Sequence, residues 1–498
     1  MRISEDHIKL ILGLKVKQRR SDLGLTLKDL KVKSGLSMSY INEIEKGKKY
    51  PKPEKLSRLA TALDTSFEDL VSLKLEKNLA PVGALLDANI IKDLPLQLFG
   101  INSAKLVTLL SEAPTKVNAF VSTLLEIGRN HELRQEHFFH TALRSYQELH
   151  LNYFSEIERG VRTFRKEKGL PQVGISEREL KELLSNQYQY QFAELDIATH
   201  PELVGIRSIF IPEKGNLLLI NPNLSKAQRN FLLAREIGFN HLELTDRPLT
   251  FSYFKAASFD ELLNNFKASY FSIALLLDEK LLIDDLKSFF ANTAFDAGFI
   301  SDLLVKYDAS PEMLFHRFSN LLPQHFGIKS LFFLRFNNME ESDRYTLSKE
   351  LHLSQKHEPH GNRLQEHYCR RWVTISVLQA LKKRTAKKTT AALPVLNAQI
   401  SAYIGSDDRY LCFAIARAMS PTPKLNGSVT LGLLINNNLK KKVAFLSDEK
   451  IAEKRVSSTC ERCTATDCKE RQAPPFVVQR NEREGRIDDA IQKVRTAQ

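Results

Sequence analysis

Residues 7–75 constrain this chain more than any other stretch, because their helical patterns are short and the breaks between them are sharply marked. His7 to Ser21 puts Ile8, Ile11, Leu12 and Val16 on one face, and Gly24 follows the end. Thr26 stands at an N-cap position with Asp29 three residues on, near the spacing of a capping box. Gly35 ends that second helix. Ser37 can cap a third through Glu45, with Ile41 and Ile44 inward, and Gly47 stops it. Pro51 and Pro53 mark the next connection. Leu56, Leu59, Ala60 and Leu63 then repeat at helical spacing, and Phe67, Leu70 and Val71 close a fifth helix.

Five short helices with a tight Gly35-centred turn between the second and third describe a helix-turn-helix domain. In that geometry the third helix offers its N-terminal residues to base edges in the major groove. The outward residues are Ser37, Met38, Ser39, Tyr40 and Asn42. Lys46, Lys48 and Lys49 lie beyond, where ammonium groups can meet phosphates, and Lys17, Arg19, Arg20 and Lys28 are further phosphate candidates. The segment TLKDLKVKSGLSMSYINEIEKGKKYPKPEKLSRLATAL resembles the XRE family of phage-repressor-like domains. Two residues depart from that pattern: Leu27 where the family often has a phosphate-contacting Gln, and Lys31 where it has a small residue. The resemblance implies double-stranded DNA as a partner and a homodimer binding two half-sites. The formal charge of +13 and pI near 9.3 agree with a polyanionic partner.

The chain is long enough for about three domains. Residues 77–160 read as a helical linker or dimerisation region, and Pro171 and Gly174 mark its boundary with a mixed region. There RSIFIP and NLLLI flank a Glu213–Lys214–Gly215 turn as a hairpin, and Ser225 to Leu244 reads as a helix. Residues 261–277 form another apolar helix. Strand-like stretches follow at Ser330 to Phe336, Val373 to Ile375, Tyr410 to Ile415, Val429 to Ile435 and Val443 to Phe445. The fold class expected is mainly α with α+β. It comprises a lambda-repressor-like five-helix domain at 7–75, the linker, a degenerate zincin-like α+β domain at 161–290, a C-terminal α+β sensor domain at 291–478, and a polar tail at 479–498.

The stretch INPNLSKAQRNFLLAREIGFNHLEL resembles the zinc-peptidase-like ImmA/IrrE domain, whose helix carries His-Glu-x-x-His. Two His at i and i+4 share one helix face and bind zinc together, and the Glu acts as general base. The matching positions here are Arg235, Glu236 and Phe239, so only the Glu remains. His241 points about 140° away from Glu236 and cannot complete a site; it reads as a surface or core histidine. On the later helix FKASYFSIALLL, Phe266 or Lys267 falls near the family's carboxylate ligand. These positions imply no zinc and no peptidase activity. Arg235 and Glu236 read as structural, or as the lining of an emptied cleft turned ligand pocket.

Three of the five cysteines, Cys460, Cys463 and Cys468, sit close together as C-x2-C-x4-C. A C-x-x-C pair can place two sulfurs on one ion or cluster edge. Zinc, an iron–sulfur cluster or bare thiols all fit this pattern, and a metal centre would need one more ligand. The segment resembles the C-terminal signature of the short-chain fatty acyl regulators, which join these three domain types in this order. FHRF at 315–318, GIKSLFFLRFNN and YCRRW at 368–372 also resemble parts of that family, although Arg370-Arg371 replaces its Pro-Leu. The resemblance implies acyl-CoA as effector and a 4Fe–4S cluster on Cys460, Cys463 and Cys468, with Cys369 as a fourth ligand. The basic runs at Lys382–Lys388 and Lys440–Lys442 suit CoA phosphates or plain solvated surface.

No run reaches the 18 or so apolar residues of a membrane span, and MRISEDHIKL is unlike a signal peptide. The expected protein is a cytoplasmic, non-enzymatic regulator with no membrane partner. Two other classes compete with that reading, an ImmA-like metalloprotease acting on a repressor and an antitoxin-like interaction module.

Overall fold

The computed structural model describes residues 5–72, 135–251, 256–353, 366–386 and 393–496. Most of the expected linker at 77–160 lies outside the described residues. The chain divides into two units, one holding the N-terminal region and the other most of the remainder.

In the first unit, α1 (Glu5–Asp22), α2 (Leu27–Ser34), α3 (Met38–Glu45), α4 (Pro53–Ala62) and α5 (Phe67–Val71) follow the expected breaks. Thr26 and Asp29 form the full capping box of α2, and Gly35 closes that helix at φ 68°, a left-handed turn that favours glycine. Ser37 caps α3 through the Tyr40 amide. Leu12, Val16, Leu30, Ile41, Ile44, Leu56, Leu59 and Leu63 make one shared core. Gly13 sets how closely α1 meets α3, since a Cβ there would stand 2.4 Å from the Ile44 carbonyl oxygen.

The second unit contains two sheets. Before the first come α6 (Gln135–Leu149), α7 (Ser155–Glu167) and α8 (Glu177–Tyr188). Strands β1 (Gln191–Glu194), β2 (Ser208–Ile211), β3 (Leu217–Ile220) and β4 (Thr250–Phe251) then pair in the order β1-β3-β2-β4. The β2–β3 hairpin turns at Gly215, as its sequence suggests. Helix α9 (Lys226–His241) starts at Ser225, whose side chain forms a capping box with Gln228. Helices α10 (Phe259–Leu276), α11 (Glu279–Ala291), α12 (Ala297–Lys306) and α13 (Pro311–Phe326) complete this layer.

The second sheet contains β5 (Leu331–Met339), β6 (Thr346–His352), β7 (Val395–Tyr403), β8 (Arg409–Ala418), β9 (Leu425–Leu434) and β10 (Ala452–Val456). Their order is β10-β7-β8-β9-β5-β6, antiparallel except for β10 with β7. Period-2 alternation gives the sheet two apolar faces. Phe333, Leu411, Phe413 and Leu431 join the larger core with α13, whereas Phe332, Phe336, Tyr410 and Cys412 pack with α14 (Val373–Ala386).

Two expectations are corrected. Val373 to Ile375 opens α14 and is not a strand: Val373, Val377, Leu378 and Leu381 are all buried, a helical spacing that outweighs the β-branched start. Val443 to Phe445 is not a strand either. It follows the short helix α15 (Asn437–Lys442) and enters a 3-10 turn at Ala444–Ser447 that buries Phe445. The C-terminal polar tail is part of a helix, α16 (Phe476–Thr496), whose residues are nearly all exposed.

Candidate functional site

The face that could read DNA is built by α3. Ile41 and Ile44 are fully buried, so the opposite side must look outward. Ser37, Met38 and Ser39 are exposed and Tyr40 and Asn42 half-exposed, while Lys46, Lys48 and Lys49 stand exposed just past the helix end. Lys55 lies 4.4 Å and Lys49 5.6 Å from the Tyr40 ring centre, and Lys49 also pairs with Glu43 at 2.8 Å. These cations fix the ring while keeping positive charge beside the outward face. Lys28 is exposed and Lys17 half-exposed.

Two expected phosphate contacts serve the domain itself. Arg20 donates to both carboxylate oxygens of Glu45, at 2.6 and 3.0 Å, and to the Leu25 carbonyl. Arg19 donates to the Leu63 and Asp64 carbonyls. Arg20 thus ties α1 to the end of α3, a role its place in the sequence does not reveal.

In the second unit, α9 brings Arg235 and Glu236 to the expected zincin position, where both are almost wholly buried. Arg235 donates through Nε and Nη2 to the Asn265 side-chain oxygen, at 3.1 and 2.7 Å, and through Nη1 to Glu236 at 3.2 Å. The α10 residue that meets Arg235 is Asn265, next to Phe266 and Lys267 in the chain. Arg247 pairs with the other oxygen of Glu236, and the Tyr190 hydroxyl donates to that same oxygen at 3.1 Å. The Arg235 guanidinium lies 4.6 Å from the ring centres of both Phe239 and Phe251. Arg247 lies 4.2 Å from those of Phe210 and Phe239.

Burial pulls Arg235 down to about 10, against the raising effect of Glu236, so the guanidinium stays charged. Burial, with Glu236 beside it, pushes Tyr190 up to about 12, so the phenol stays neutral. One carboxylate held by two guanidiniums offers no donor set for zinc, which takes deprotonated N, S or O ligands and is repelled by fixed cations. His241 faces elsewhere, half-buried against Phe164 and Phe271 at 4.9 and 5.4 Å between ring centres. Tyr190, Arg247 and Asn265 had no sequence signal, because each comes from a different element than α9.

The cysteine loop is anchored by an antiparallel bridge between Tyr368 and Thr459. The Cys369 amide donates to the Ser458 carbonyl and the Cys460 amide to the His367 carbonyl, which puts Cys369 and Cys460 on one side of the bridge. Cys463 follows one turn later, its amide on the Cys460 carbonyl. Arg471 gathers the loop by donating to the carbonyls of Cys460, Cys463 and Ala465. The Gln472 amide points at the Cys460 sulfur, 3.4 Å away. Burial, with Cys460 and Cys463 nearby, raises the Cys369 thiol. Cys369, Cys460 and Cys463 are buried and Cys468 is half-buried, whereas Cys412 lies apart on β8. Soft thiols suit zinc or an iron–sulfur cluster in kind. In position, no three His, Cys, Asp or Glu side chains among the described residues are set to hold one metal ion.

Residues 16–70 match the helix-turn-helix family model, and residues 198–319 match the IrrE N-terminal-like domain, a peptidase family. The chain thus carries a helix-turn-helix domain followed by an IrrE-like domain. No curated protein matches the chain. A Mycobacterium tuberculosis transcriptional regulator of known structure is similar at 16% identity and a TM-score of 0.46, over 68% of this chain and 94% of that one. Among the described residues no helix is long and apolar enough to cross a membrane.

Proposed function

We propose that this chain is a sequence-specific transcriptional regulator that binds double-stranded DNA as a homodimer, controlled by a small metabolite in its second unit. The observation that carries the reading is α3, with its buried Ile41 and Ile44 and an outward face of Ser37, Met38, Ser39 and Asn42 flanked by lysines. The helix-turn-helix match supports it. A gel shift against the protein's own promoter, with salt titration, tests it. Sequence-preferring binding that weakens with salt is expected. Binding that is absent, or insensitive to sequence, would overturn the reading.

An effector of the acyl-CoA class follows from the resemblance to the short-chain fatty acyl regulators, and a thermal-shift screen of acyl-CoAs checks it. For the cysteine loop we propose a 4Fe–4S cluster on Cys460, Cys463 and Cys468 with Cys369. The buried thiols of Cys369, Cys460 and Cys463 and the amide aimed at Cys460 support this. Bound, the cluster would supply a redox- or oxygen-sensitive clamp on the loop. Anaerobic spectra and metal analysis separate it from zinc or bare thiols. The IrrE-like match favours a second reading as a metalloprotease, against which the Arg235–Glu236–Arg247 donor set stands. Zinc bound stoichiometrically at residues 235–241 would revive it.

A further inference from the structure

Far from α3 in sequence, one face of the six-stranded sheet gathers more positive charge than its surroundings neutralise. Strand register sets two rows on the side facing α13. Lys349, Arg335, Val429 and Ile415 form one, and Thr346, Asn337, Gly427 and Arg417 the next. From α13, His316 stacks on Phe333 with ring centres 4.1 Å apart, and Glu312 one turn earlier accepts from Arg335 at 3.1 Å and Lys349 at 3.4 Å. Arg207 reaches the same basin from the segment before β2, which Asn221 pins through the Val204 and Ile206 carbonyls.

Glu312 pairs with Arg335 and Lys349, and its charge also acts on Arg207 and Arg417; among the described residues no other carboxylate pairs with any of the four. The Arg207 guanidinium has an aromatic contact with Phe251 but no hydrogen bond, and its Nε is buried without a partner. The Arg417 side chain has no hydrogen-bond or ion-pair partner among the described residues. Arg335 Nε, Asn337 Oδ1 and His316 Nε2 are also buried without a hydrogen bond, the last of them 3.9 Å from Glu312. Burial lowers Arg207 to about 10, and Arg335 and Arg417 add to that. Lys349 keeps about half its side chain exposed, at 49%, so solvent reaches the basin.

Cations that must be desolvated and held beside one another cost folding free energy, which an apolar set would not. Such an arrangement suits a site completed by an anion. We propose that this basin binds a small dianion, a phosphoryl group or a dicarboxylate, held by Arg207, Arg335 and Arg417. The site deepens the effector reading, and rests on it only for the ligand's role in control.

Calorimetry on the full chain at fixed ionic strength, with chloride as background, uses two probes. Inorganic pyrophosphate stands for the phosphoryl source and malonate for the dicarboxylate source. Saturable binding of either supports the site, and whichever binds more tightly assigns the source. Arg207→Gln and Arg417→Gln should each weaken it at least tenfold, while Lys441→Gln on α15 leaves it unchanged. Both basin variants should also raise the melting point of the unliganded protein by about 2 °C, because an unpaired cation is removed. A merely structural arginine would lower the melting point. Binding of neither probe, or unchanged affinity in both basin variants, overturns the proposal. Because no DNA is present, binding without any effect on a later gel shift would sink the effector reading and leave the basin standing.

Discussion

Arg235 donates two hydrogen bonds to the same oxygen of Asn265, at 3.1 and 2.7 Å, across the ground where a zincin would hold its metal. The bond joins α9 to α10, and two phenylalanine rings lie with their centres 4.6 Å from the guanidinium. Truncating Arg235 leaves the Asn265 oxygen and one oxygen of the buried Glu236 without their donor. Arg235→Ala should destabilise the second unit by about 3 kcal/mol. Urea unfolding measures this, and the metal content of the purified variant should not change.

The α3 face and the lysines beyond it should separate in a binding assay. Asn42→Ala or Ser39→Ala should cost about 1–3 kcal/mol on the preferred operator and narrow the gap to a scrambled duplex. Lys48→Ala should weaken both duplexes alike and reduce the salt slope by about 1. Gel shifts at several salt concentrations distinguish these outcomes. Equal loss on both duplexes for Asn42→Ala would remove it from base reading.

Arg20 and Glu45 should behave as a structural pair. Each single alanine variant should lower the stability of the N-terminal unit, and a double-mutant cycle should show coupling of about 1–2 kcal/mol. Thermal unfolding of the four proteins gives the coupling energy. Additive losses would return Arg20 to the set of free phosphate contacts.

His316 gives a pH dependence of definite sign. Burial first, then Lys349 and Arg335, pulls it down to about 3, with Glu312 opposing. In the unfolded chain it takes a proton near pH 6.5, whereas in the folded chain it stays neutral. The unfolded state therefore binds more protons, and stability falls as pH drops from 6.5 toward 3. The slope from this group should approach about 1.4 kcal/mol per pH unit below pH 5.5. Denaturant melts at pH 7 and pH 5, compared with His316→Gln, measure it, and the variant should lose less stability over that interval.

Much of the N-terminal unit was legible because its signals are local. Thr26 with Asp29, Gly35, Ser37 and Pro53 each act within one helical turn, and the helices begin and end where they direct. The Gly215 hairpin was legible for the same reason. Val373 to Ile375 misled because three residues show β-branching, whereas the helix is declared only by Val377, Leu378 and Leu381 further on. Around Glu236 the altered histidine positions could be read directly, but the partners could not. Tyr190, Arg247 and Asn265 lie 46, 11 and 29 positions from Glu236. The basin of Arg207, Arg335 and Arg417 was hidden for a similar reason, since only sheet register sets Arg335 and Arg417 on one face.

The missing side chain at Gly13 has a mechanical consequence. With no room for even a methyl group between α1 and the Ile44 carbonyl, α1 and α3 are in direct backbone contact at this point. In the proposed regulator, control that leaves this contact in place would act like a calliper on the spacing between two copies of the domain, and its signature would be a changed preference for half-site spacing and not for the bases within each half-site.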